Sequence, residues 1–513
     1  MTSALILTWV FSVTYIPNTA PRSTQLCMTT CSHLATDISA KHRIIMKRLV
    51  AALLLLAVVS GFAPNSRPCF NSPALFSTTF TSTRIAASTG ANDDNDICTI
   101  QILMSDTGGG HRASANALRD AFDVLYPGKI QCDIVDLFVD YGPWPLNEAP
   151  RAYKIMAEYT FLWDWFYHLG GTPLGLAVSE FFMELSCFDG FSKCLERPSG
   201  TTKKRANMVI SVHPLCQDIP LKVLSSLDSD GQSRAPEARK TPFVTVVTDL
   251  GGAHPTWFNK GVDKCFVPSD ALYQCARDRN LKPEQIVQYG LPIRRGFWNQ
   301  ASGKKQKNVA ELRAELGLDA TLPTVLMVGG GDGMGGIVDI ATSLGDTLGW
   351  SSSTPAYQMV VVCGNNQKAK LTLSEKKWGS GVKVSVQGFV NNMDEWMQAS
   401  DALITKAGPG TIAEACICGL PCMLFSYLPG QEAGNVPFVE NSGFGKFSGD
   451  PQVIAETVRS WLASPDKMKE LKSAALAAAR PSATLDIARD IASIVFTEKS
   501  KRAEKETVKV RAR

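Results

Sequence analysis

The sequence predicts an α/β protein with two doubly wound, Rossmann-like domains that face one cleft. Three observations predict this class. Short, nearly continuous apolar segments recur along the chain, which is typical of parallel strands buried on both faces. Segments with helical periodicity separate them. The pattern also occurs twice, on either side of a Lys-rich, helix-like segment at residues 304–316.

The predicted strands fall into two sets. The first set, between residues 97 and 292, comprises ICTIQILM, IQCDIVDLF, NMVISVHP, FVTVVTDL, KCFVPS and IVQYGLP. The second set, between residues 324 and 427, comprises TVLMVGGG, QMVVVCG, VKVSVQGF, DALITKAG and PCMLFSY. We therefore predict an N-terminal domain at residues 97–300 and a C-terminal domain at residues 301–482, with a hinge near residues 296–320.

The two ends of the chain differ from these domains. Residues 1–96 are predicted to be a presequence, because Met46 begins a signal-peptide layout and an acid-poor, hydroxyl-rich stretch follows from Cys69, as in a transit peptide. This combination predicts import into a plastid and a translation start at Met46. An ordinary signal peptide on a secreted protein is the alternative. A helix is expected at residues 483–496, followed by a charged, disordered tail at residues 497–513.

Composition limits the classes of function. The 513 residues include 52 basic and 48 acidic side chains, a net charge of +4, which is too balanced for a nucleic-acid-binding protein. The 14 cysteines show no repeated spacing and are expected to be reduced, buried thiols. CICGLPC has no second ligand pair after it and is not expected to bind zinc. After the presequence, no uninterrupted apolar segment reaches the roughly 18 residues that a membrane span needs.

A glycine-rich turn in the C-terminal half is the most specific signal. Residues 404–439 read ITKAGPGTIAEACICGLPCMLFSYLPGQEAGNVPFV, in which a strand ends, AGPGT turns and a helix begins near Ile412. Backbone N–H groups at such a helix start can hold a pyrophosphate, and Gly408 and Gly410 let the backbone approach it closely. Four further residues here either bind ribose and sugar hydroxyls or are ordinary surface residues: Glu414, Gln431, Glu432 and Asn435.

A second motif, SDTGGGHRASANALRDAF at residues 105–122, places His111 between a glycine turn and a helix. A neutral imidazole suits a general base near pH 7, and a helix start disfavours its protonation. Asp106 is a candidate partner for this imidazole. A capping residue in a structural turn is the alternative role for His111. His213 and His254 also follow predicted strands, and for them direct chemistry and a positioning or packing role stay equally open.

Together with five further motifs, these two resemble the monogalactosyldiacylglycerol synthase family. The other five are VHPLCQDIPL, TDLGGAHPTWF, YGLPIR, VGGGDGMGG and GFVNNMDEWM, and the resemblance extends over about residues 98–490. It implies the GT-B glycosyltransferase architecture. It also implies transfer of galactose, with inversion, from UDP-galactose to the free hydroxyl of 1,2-diacylglycerol. The donor would bind mainly to the C-terminal domain and the acceptor to the N-terminal one.

The resemblance also implies a set of site residues, with His111 as the catalytic base. The donor UDP-galactose would bind at Gly331, Arg294, Gly388, Phe389, Val390, Gly408, Gly410, Thr411, Ile412, Glu414, Gln431, Glu432 and Asn435. The acceptor or an anionic lipid would bind at Gly109, Gly110, Pro145 and Trp257. The scheme requires no metal and no other cofactor, and the Asp-x-Asp match at Asp228 and Asp230 is interpreted as a coincidence.

Aromatic residues cluster at residues 152–191, which favours either an interfacial, membrane-associated segment or a buried helix. With the resemblance, this predicts a peripheral protein of the plastid envelope membrane that anionic lipids could activate. A UDP-glucose-dependent diacylglycerol glucosyltransferase is the nearest rival. A UDP-sugar 2-epimerase and a non-catalytic lipid or UDP-sugar sensor are further alternatives. The oligomeric state is left open.

Overall fold

Two parallel sheets organise the chain. The computed structural model describes residues 97–107, 110–151, 172–200, 204–298, 308–329, 336–349 and 352–511. It contains two six-stranded sheets in which every neighbouring pair of strands is parallel. Helices separate the successive strands in most places. The predicted α/β class, with two doubly wound sheets, is confirmed.

The N-terminal sheet has the strand order β2-β1-β3-β4-β5-β6. Its strands are β1 (Cys98–Met104), β2 (Ile130–Asp136), β3 (Met208–Ser211), β4 (Phe243–Val246), β5 (Lys264–Val267) and β6 (Ile286–Gln288). Every residue of β1 is buried, as the continuous apolar segment predicted. The chain runs from β1 outwards to β2 and then returns to the other side of β1 at β3. The switch point of this sheet therefore lies between β1 and β3.

In the described ranges of this half, six helices accompany the sheet. They are α1 (Gly110–Leu125), α2 (Leu137–Tyr141), α3 (Pro173–Glu196), α4 (Asp218–Asp228), α5 (Asp270–Asp278) and α6 (Arg295–Trp298). Helix α1 buries His111, Ala115, Leu118 and Phe122, which recur at helical spacing along one face. This face packs into the main apolar core, and His111 is therefore carried into the protein by the first turn of the helix.

The C-terminal sheet has the strand order β12-β11-β10-β7-β8-β9. Its strands are β7 (Thr324–Val328), β8 (Tyr357–Val362), β9 (Val382–Gln387), β10 (Ala402–Thr405), β11 (Cys422–Leu424) and β12 (Gly445–Phe447). Its helices are α7 (Val309–Glu315), α8 (Ile337–Gly349), α9 (Gln367–Glu375), α10 (Met393–Gln398), α11 (Pro409–Ile417), α12 (Asn435–Asn441), α13 (Pro451–Leu462) and α14 (Pro465–Ala478). The switch point lies between β7 and β10, directly before the AGPGT turn.

The strands end earlier than the apolar segments suggested. β3 ends at Ser211 and β4 at Val246, although the predicted segments continued through VHP and VTDL. Strand β12 is too short to give a signal in the sequence. The residues left over at the strand ends form the loops from which a site can be built.

The last helix differs most from the prediction. Helix α15 extends over Ala483–Arg511, so residues 497–511 are helical and the predicted disorder there is wrong. Ala, Glu, Lys and Arg are strong helix formers. In addition, Nζ of Lys501 forms an ion pair with the carboxylate of Glu498, one turn earlier, at 2.6 Å. The expected helix at residues 483–496 is the first half of a longer one.

Helix α15 returns to the N-terminal half of the chain. The rings of Tyr126 and Phe496 meet edge to face with centroids 5.5 Å apart. Tyr289 donates a hydrogen bond to Asp490 at 3.0 Å. The backbone N–H of Ile293 donates to Thr484 at 2.9 Å. The C-terminal helix thus holds the segment between the sheets against the N-terminal sheet. The domain boundaries at 300/301 and 482/483 stay predictions.

Several expectations lie outside the described residues. These include the whole presequence and the aromatic residues 152–171. Across the described ranges, no helix combines the length and the apolar character needed to cross a membrane.

Candidate active site

The topology brings three loops of the N-terminal sheet together. β1, β3 and β4 are neighbours, and the carboxyl ends of parallel strands lie at one edge of a sheet. His111 follows β1, Val212 and His213 follow β3, and Thr248 and Asp249 follow β4. Residues far apart in the sequence therefore meet at the switch point.

His111 is held by two oxygen atoms at this edge. Its Nδ1 lies 2.8 Å from the carbonyl oxygen of Val212 and 3.0 Å from Oγ1 of Thr248. Because a carbonyl oxygen only accepts hydrogen bonds, Nδ1 carries the proton of the neutral ring. The lone pair is then on Nε2, for which the described residues supply no hydrogen-bond partner. This arrangement leaves His111 with a free basic atom in a fixed direction.

Burial keeps this imidazole neutral. His111 is almost completely buried, and burial lowers its pKa to about 4. The hydrogen bond to Val212 and the charge of Asp106 oppose this shift but do not reverse it. The predicted neutrality of His111 therefore has burial as its main cause.

The expected hydrogen bond between His111 and Asp106 does not form. The carboxylate of Asp106 accepts instead from Arg112 at 2.9 Å, and its backbone N–H donates to Asp136 at 2.9 Å. The Arg112 side chain lies on the exposed side of helix α1, and its ion pair holds the Asp106 carboxylate there. The prediction that Asp106 partners His111 is corrected to Val212 and Thr248.

The two other candidate histidines have mainly structural contacts. His213 packs edge to face against His111, with ring centroids 4.6 Å apart. Its Nδ1 accepts from the N–H of Leu215 at 3.2 Å, and its Nε2 lies 3.0 Å from Oγ1 of Thr107. Both nitrogens are thus engaged, which favours a positioning role. His254 caps a short helical turn, Pro255–Trp257, by accepting from the N–H of Thr256.

Trp257 and Asp249 form a buried pair behind His111. Trp257 is 0% exposed, and its ring centroid lies 6.0 Å from that of His111. Its Nε1 donates to Oδ2 of Asp249 at 2.6 Å. The sequence analysis did not select Asp249. The signal available was its position three residues after the end of β4, much as His213 lies two residues after the end of β3.

Two loops of the two sheets touch at glycine residues. A Cβ at Gly251 would lie 1.9 Å from the carbonyl oxygen of Gly434, so only glycine allows this approach. The N–H of Gly251 donates to Oδ1 of Asn435 at 2.8 Å. Nδ2 of Asn435 donates to the carbonyl oxygen of Ala407 at 2.8 Å. The amide oxygen of Asn435, a predicted sugar-binding residue, therefore joins the two sides, and its amide nitrogen holds the loop after β10 of its own side.

Glu432 lies on the same loop and is also held firmly. Its carboxylate accepts from Nζ of Lys406 at 2.8 Å and from the N–H of Leu428 at 2.9 Å. It is buried, so the lysine provides the charge that a buried carboxylate needs. The side chain of Gln431, next to it, lies near enough to Asp249 of the opposite loop to favour its ionised form. Glu432 and Gln431 thus face the residues around His111.

Arg294 and Glu414 form a two-pronged ion pair. Nε and Nη2 of Arg294 donate to the two carboxylate oxygens of Glu414 at 2.7 Å and 2.5 Å. Glu414 is buried within α11, whereas the Arg294 side chain is 43% exposed. The structure therefore brings together two residues that the sequence could assign only separately to the donor side.

The AGPGT turn starts helix α11 as predicted. Pro409 occupies the first turn, where its missing N–H costs nothing, and Gly408 precedes it. A Cβ at Gly410 would meet no atom within 4 Å, so the space over this helix start is open. Ile412 does not line this open space, because its side chain is buried and its N–H donates to the carbonyl oxygen of Gly408 at 3.1 Å. Ile412 thus supports the turn from the core.

Comparison with known proteins identifies this arrangement. The family model "Monogalactosyldiacylglycerol (MGDG) synthase" matches residues 111–293, from His111 through the N-terminal sheet. The model "Glycosyltransferase family 28 C-terminal domain" matches residues 324–479. A probable monogalactosyldiacylglycerol synthase 2, chloroplastic, of Oryza sativa subsp. indica is 44% identical over 76% of this chain and 80% of its own. The chain belongs to the monogalactosyldiacylglycerol synthase family.

Two further relatives are also named monogalactosyldiacylglycerol synthases. Monogalactosyldiacylglycerol synthase 3, chloroplastic, of Arabidopsis thaliana is 42% identical over 77% of this chain and 81% of its own. The synthase of Spinacia oleracea is 42% identical over 77% and 72%. Among solved structures, MurG of Acinetobacter baumannii has a TM-score of 0.48 at 13% identity, covering 77% of this chain and 99% of that one. The matched C-terminal glycosyltransferase domain and the two parallel sheets agree with the predicted GT-B architecture.

The remaining predicted site residues of this family member lie around the cleft or outside the described ranges. Gly388, Phe389 and Val390 follow edge strand β9, and Phe389 is exposed. Thr411 lies in the first turn of α11. Gly110 starts α1, and a Cβ there would meet no atom within 4 Å. Pro145 follows the exposed Trp144. Gly109 and Gly331 lie outside the described residues.

The acidic residues of the Asp-x-Asp match, Asp228 and Asp230, have structural roles. Asp228 accepts hydrogen bonds from the N–H groups of Lys240 and Thr241, both at 2.7 Å. It thereby closes the loop after α4, and Asp230 lies in a left-handed turn beside it. Within the described part of the chain, His, Cys, Asp and Glu side chains form no group of three or more that could hold a metal ion. Independence from metals stays a prediction.

The glycine contact between the loops gives a matched pair of variants. Gly251→Ala would place a methyl group against the backbone of Gly434, whereas a Cβ at Gly252 meets no atom within 4 Å. We expect Gly251→Ala to lower the free energy of unfolding by about 1–3 kcal/mol and to accelerate amide hydrogen exchange in both loops. Gly252→Ala should leave both unchanged. Hydrogen exchange with mass spectrometry measures this, and equal protection in the two variants would contradict the contact.

Proposed function

We propose that this chain transfers galactose from UDP-galactose to the free hydroxyl of 1,2-diacylglycerol, with inversion at the anomeric carbon. The observation that carries this proposal is His111, a neutral imidazole at the switch point of one sheet, opposite the donor-side loop of the other, whose Nε2 has no hydrogen-bond partner among the described residues. The names of the relatives supply the substrate class. They also support a plastid location, together with the predicted presequence.

The proposed step is a single displacement. Nε2 of His111 takes the proton of the acceptor hydroxyl while its oxygen attacks the anomeric carbon and the bond to UDP breaks. The proton ends on the imidazole and the negative charge on UDP. The carbonyl oxygen of Val212 accepts a hydrogen bond from Nδ1 at 2.8 Å and so stabilises the imidazolium that forms.

The donor side holds the leaving group. In this proposal the N–H groups of the first turn of α11 and the guanidinium of Arg294 bind the diphosphate oxygens. Glu414, Gln431 and Glu432 would accept or donate hydrogen bonds at ribose and sugar hydroxyls. In this scheme helix α11 and Arg294 compensate the charge on UDP, so the proposal includes no metal.

The choice of donor separates this proposal from its nearest rival. We expect the protein without residues 1–96 to transfer labelled galactose from UDP-galactose to diacylglycerol in mixed micelles, and to use UDP-glucose poorly. The two donors differ in the orientation of one hydroxyl, which a hydrogen-bonding site can distinguish. Lipid extraction and chromatography measure the product. Transfer from UDP-glucose alone would establish the glucosyltransferase, and conversion of the free UDP-sugar without lipid product would favour the epimerase.

Replacement of the base tests the mechanism. We expect His111→Ala to lower kcat by about 10²–10⁴-fold, the usual contribution of a general base. Binding of UDP, measured by calorimetry, should stay within a few-fold of the wild type, because His111 lies on the other sheet from α11. Wild-type turnover in the variant would exclude His111 as the base. Loss of UDP binding would instead indicate a role in holding the donor.

The acceptor side includes an exposed apolar stripe on α3. Leu174, Phe181 and Leu185 lie on one face of this helix, and Phe181 and Leu185 are 72% and 77% exposed. For the described part of the segment, this favours the interfacial alternative over a buried helix. We propose that this face contacts the envelope membrane, where diacylglycerol resides and where anionic lipids could act as activators.

Substitution of this stripe should weaken membrane binding. We expect Phe181→Ser with Leu185→Ser to reduce affinity for vesicles of neutral and anionic lipids by about tenfold or more, since each inserted side chain contributes roughly 1.5–3 kcal/mol when fully buried. Leu371→Ser is the matched control, because Leu371 is 61% exposed on α9 of the other sheet. Vesicle flotation measures the bound fraction. An equal loss in the control would remove α3 as the specific contact.

A further inference from the structure

A single buried carboxyl group joins the two sides of the cleft. Asp249 is 4% exposed and follows β4 of the N-terminal sheet. Nε1 of Trp257 donates to its Oδ2 at 2.6 Å from the same side. The side chain of Gln431, on the loop of the C-terminal sheet, lies near enough to favour its ionised form. One carboxyl group therefore has polar side chains from both halves of the chain beside it.

The backbone around Asp249 makes this junction rigid. Gly251, two residues further, lies in contact with the backbone of Gly434 and donates to Asn435 at 2.8 Å. Gln431 lies three residues before Gly434 on that loop. The carboxyl group of Asp249 therefore cannot move away from Gln431 unless the glycine contact also opens.

The two neighbours of Asp249, Trp257 and Gln431, lie near the proposed positions of the two substrates. Trp257 lies beside the ring of His111, with centroids 6.0 Å apart, and so forms a wall behind the base. Gln431 precedes Glu432 at the proposed sugar side. We propose that Asp249 is a positioning residue for the transfer reaction, which fixes Trp257 behind His111 and Gln431 at the donor in one arrangement. This inference rests on the proposed galactosyl transfer and adds a residue that the base and the donor turn do not include.

The charge state of Asp249 decides how well it holds these two neighbours. The ionised carboxylate accepts from Nε1 of Trp257 and attracts the side-chain amide of Gln431, whereas a protonated oxygen would face one of them with a donor. The charged groups near it are Glu432, which is paired with Lys406, and, beyond Trp257, His111. Burial, together with Glu432, raises the pKa of Asp249 to about 7. The full arrangement therefore develops as the pH rises through about 7.

This pH range separates Asp249 from the base. The pKa of His111 is about 4, so its imidazole is neutral well below the range in which Asp249 ionises. Loss of activity on acidification towards pH 6 would thus report Asp249, and loss only near pH 4 would report His111. The pH profile of the transfer reaction distinguishes the two groups.

The test is the pH profile of kcat/KM for diacylglycerol with UDP-galactose as donor. In the wild type we expect kcat/KM to rise with a midpoint near pH 7. Asp249→Asn should remove this limb and lower kcat at pH 8 by about 10- to 100-fold, the effect of a small misplacement of reacting groups. Because Asp249 acts through Trp257 as well as Gln431, Asp249→Asn combined with Trp257→Phe should lower kcat by less than the product of the two single effects.

Stability measurements exclude an effect of misfolding. The raised pKa means that the protonated form stabilises the fold at low pH and that this contribution is lost as the pH rises through about 7. Asp249→Asn should therefore keep or raise Tm at pH 8 while activity falls. Asp218→Asn is the matched control, because the pKa of Asp218 is also raised by burial and its partner is the neutral Asn259. That variant should retain the wild-type pH profile.

The outcomes are distinct. A wild type that transfers no galactose would overturn the proposed function, and this inference with it. An active wild type whose limb near pH 7 persists in Asp249→Asn would overturn the positioning role alone. The same conclusion would follow from unchanged kcat, or from effects of Asp249→Asn and Trp257→Phe that simply add.

Discussion

The contact between Gly251 and the Gly434–Asn435 backbone is the constraint on which the site depends. It joins a loop of the N-terminal sheet to a loop of the C-terminal sheet, and the Asn435 amide fixes it by accepting from Gly251 and donating to Ala407. Each such buried hydrogen bond contributes roughly 1 kcal/mol, and an unpaired buried partner costs about 1–3 kcal/mol. The contact therefore has a strongly preferred geometry. The distance between His111 and the donor-side carboxylates follows from it.

Burial has opposite effects on the two ionisable groups of the N-terminal side. It lowers the pKa of His111 to about 4 and raises that of Asp249 to about 7, because in each case it disfavours the charged form. A neutral imidazole is ready to accept a proton, so burial serves His111 directly. The hydrogen bond from Trp257 and the nearby Gln431 oppose this rise for Asp249 and favour its ionised form. The same apolar surroundings thus favour the neutral form of both groups, which suits the base proposed at His111 and makes Asp249 sensitive to pH.

The sequence predicted the parts of the site that depend on local pattern. Buried parallel strands leave continuous apolar segments, and glycine turns after them mark the strand ends, so the position of His111 and of the AGPGT turn could be found. The partners of these residues could not. Val212 and Thr248 reach His111 only because β3 lies beside β1 and β4 lies beside β3. The order of strands cannot be predicted from any single segment. For the same reason Asp106 was the nearest candidate in sequence but not in space.

Asn435 and the C-terminal helix illustrate the same limit. An asparagine in a glycine-rich loop can bind a sugar or join two loops, and only the position of Gly251 shows that Asn435 joins two loops, while sugar binding stays a prediction. The residues after Phe496 resemble a disordered tail because they are charged. Their high helix propensity extends α15 once its first half is docked through Tyr289 and Ile293. Local composition could not show that this helix has a neighbour.

The ion pair of Arg294 and Glu414 shows how the donor side can be stable and still bind an anion. A guanidinium has five N–H donors in one plane, and Glu414 uses one on Nε and one on Nη2. Three donors remain, and the Arg294 side chain is partly exposed while Glu414 is buried. A diphosphate can therefore bind the exposed edge of Arg294 without displacing Glu414. The pair keeps a buried carboxylate compensated and presents the remaining positive charge to the cleft, next to the open start of α11.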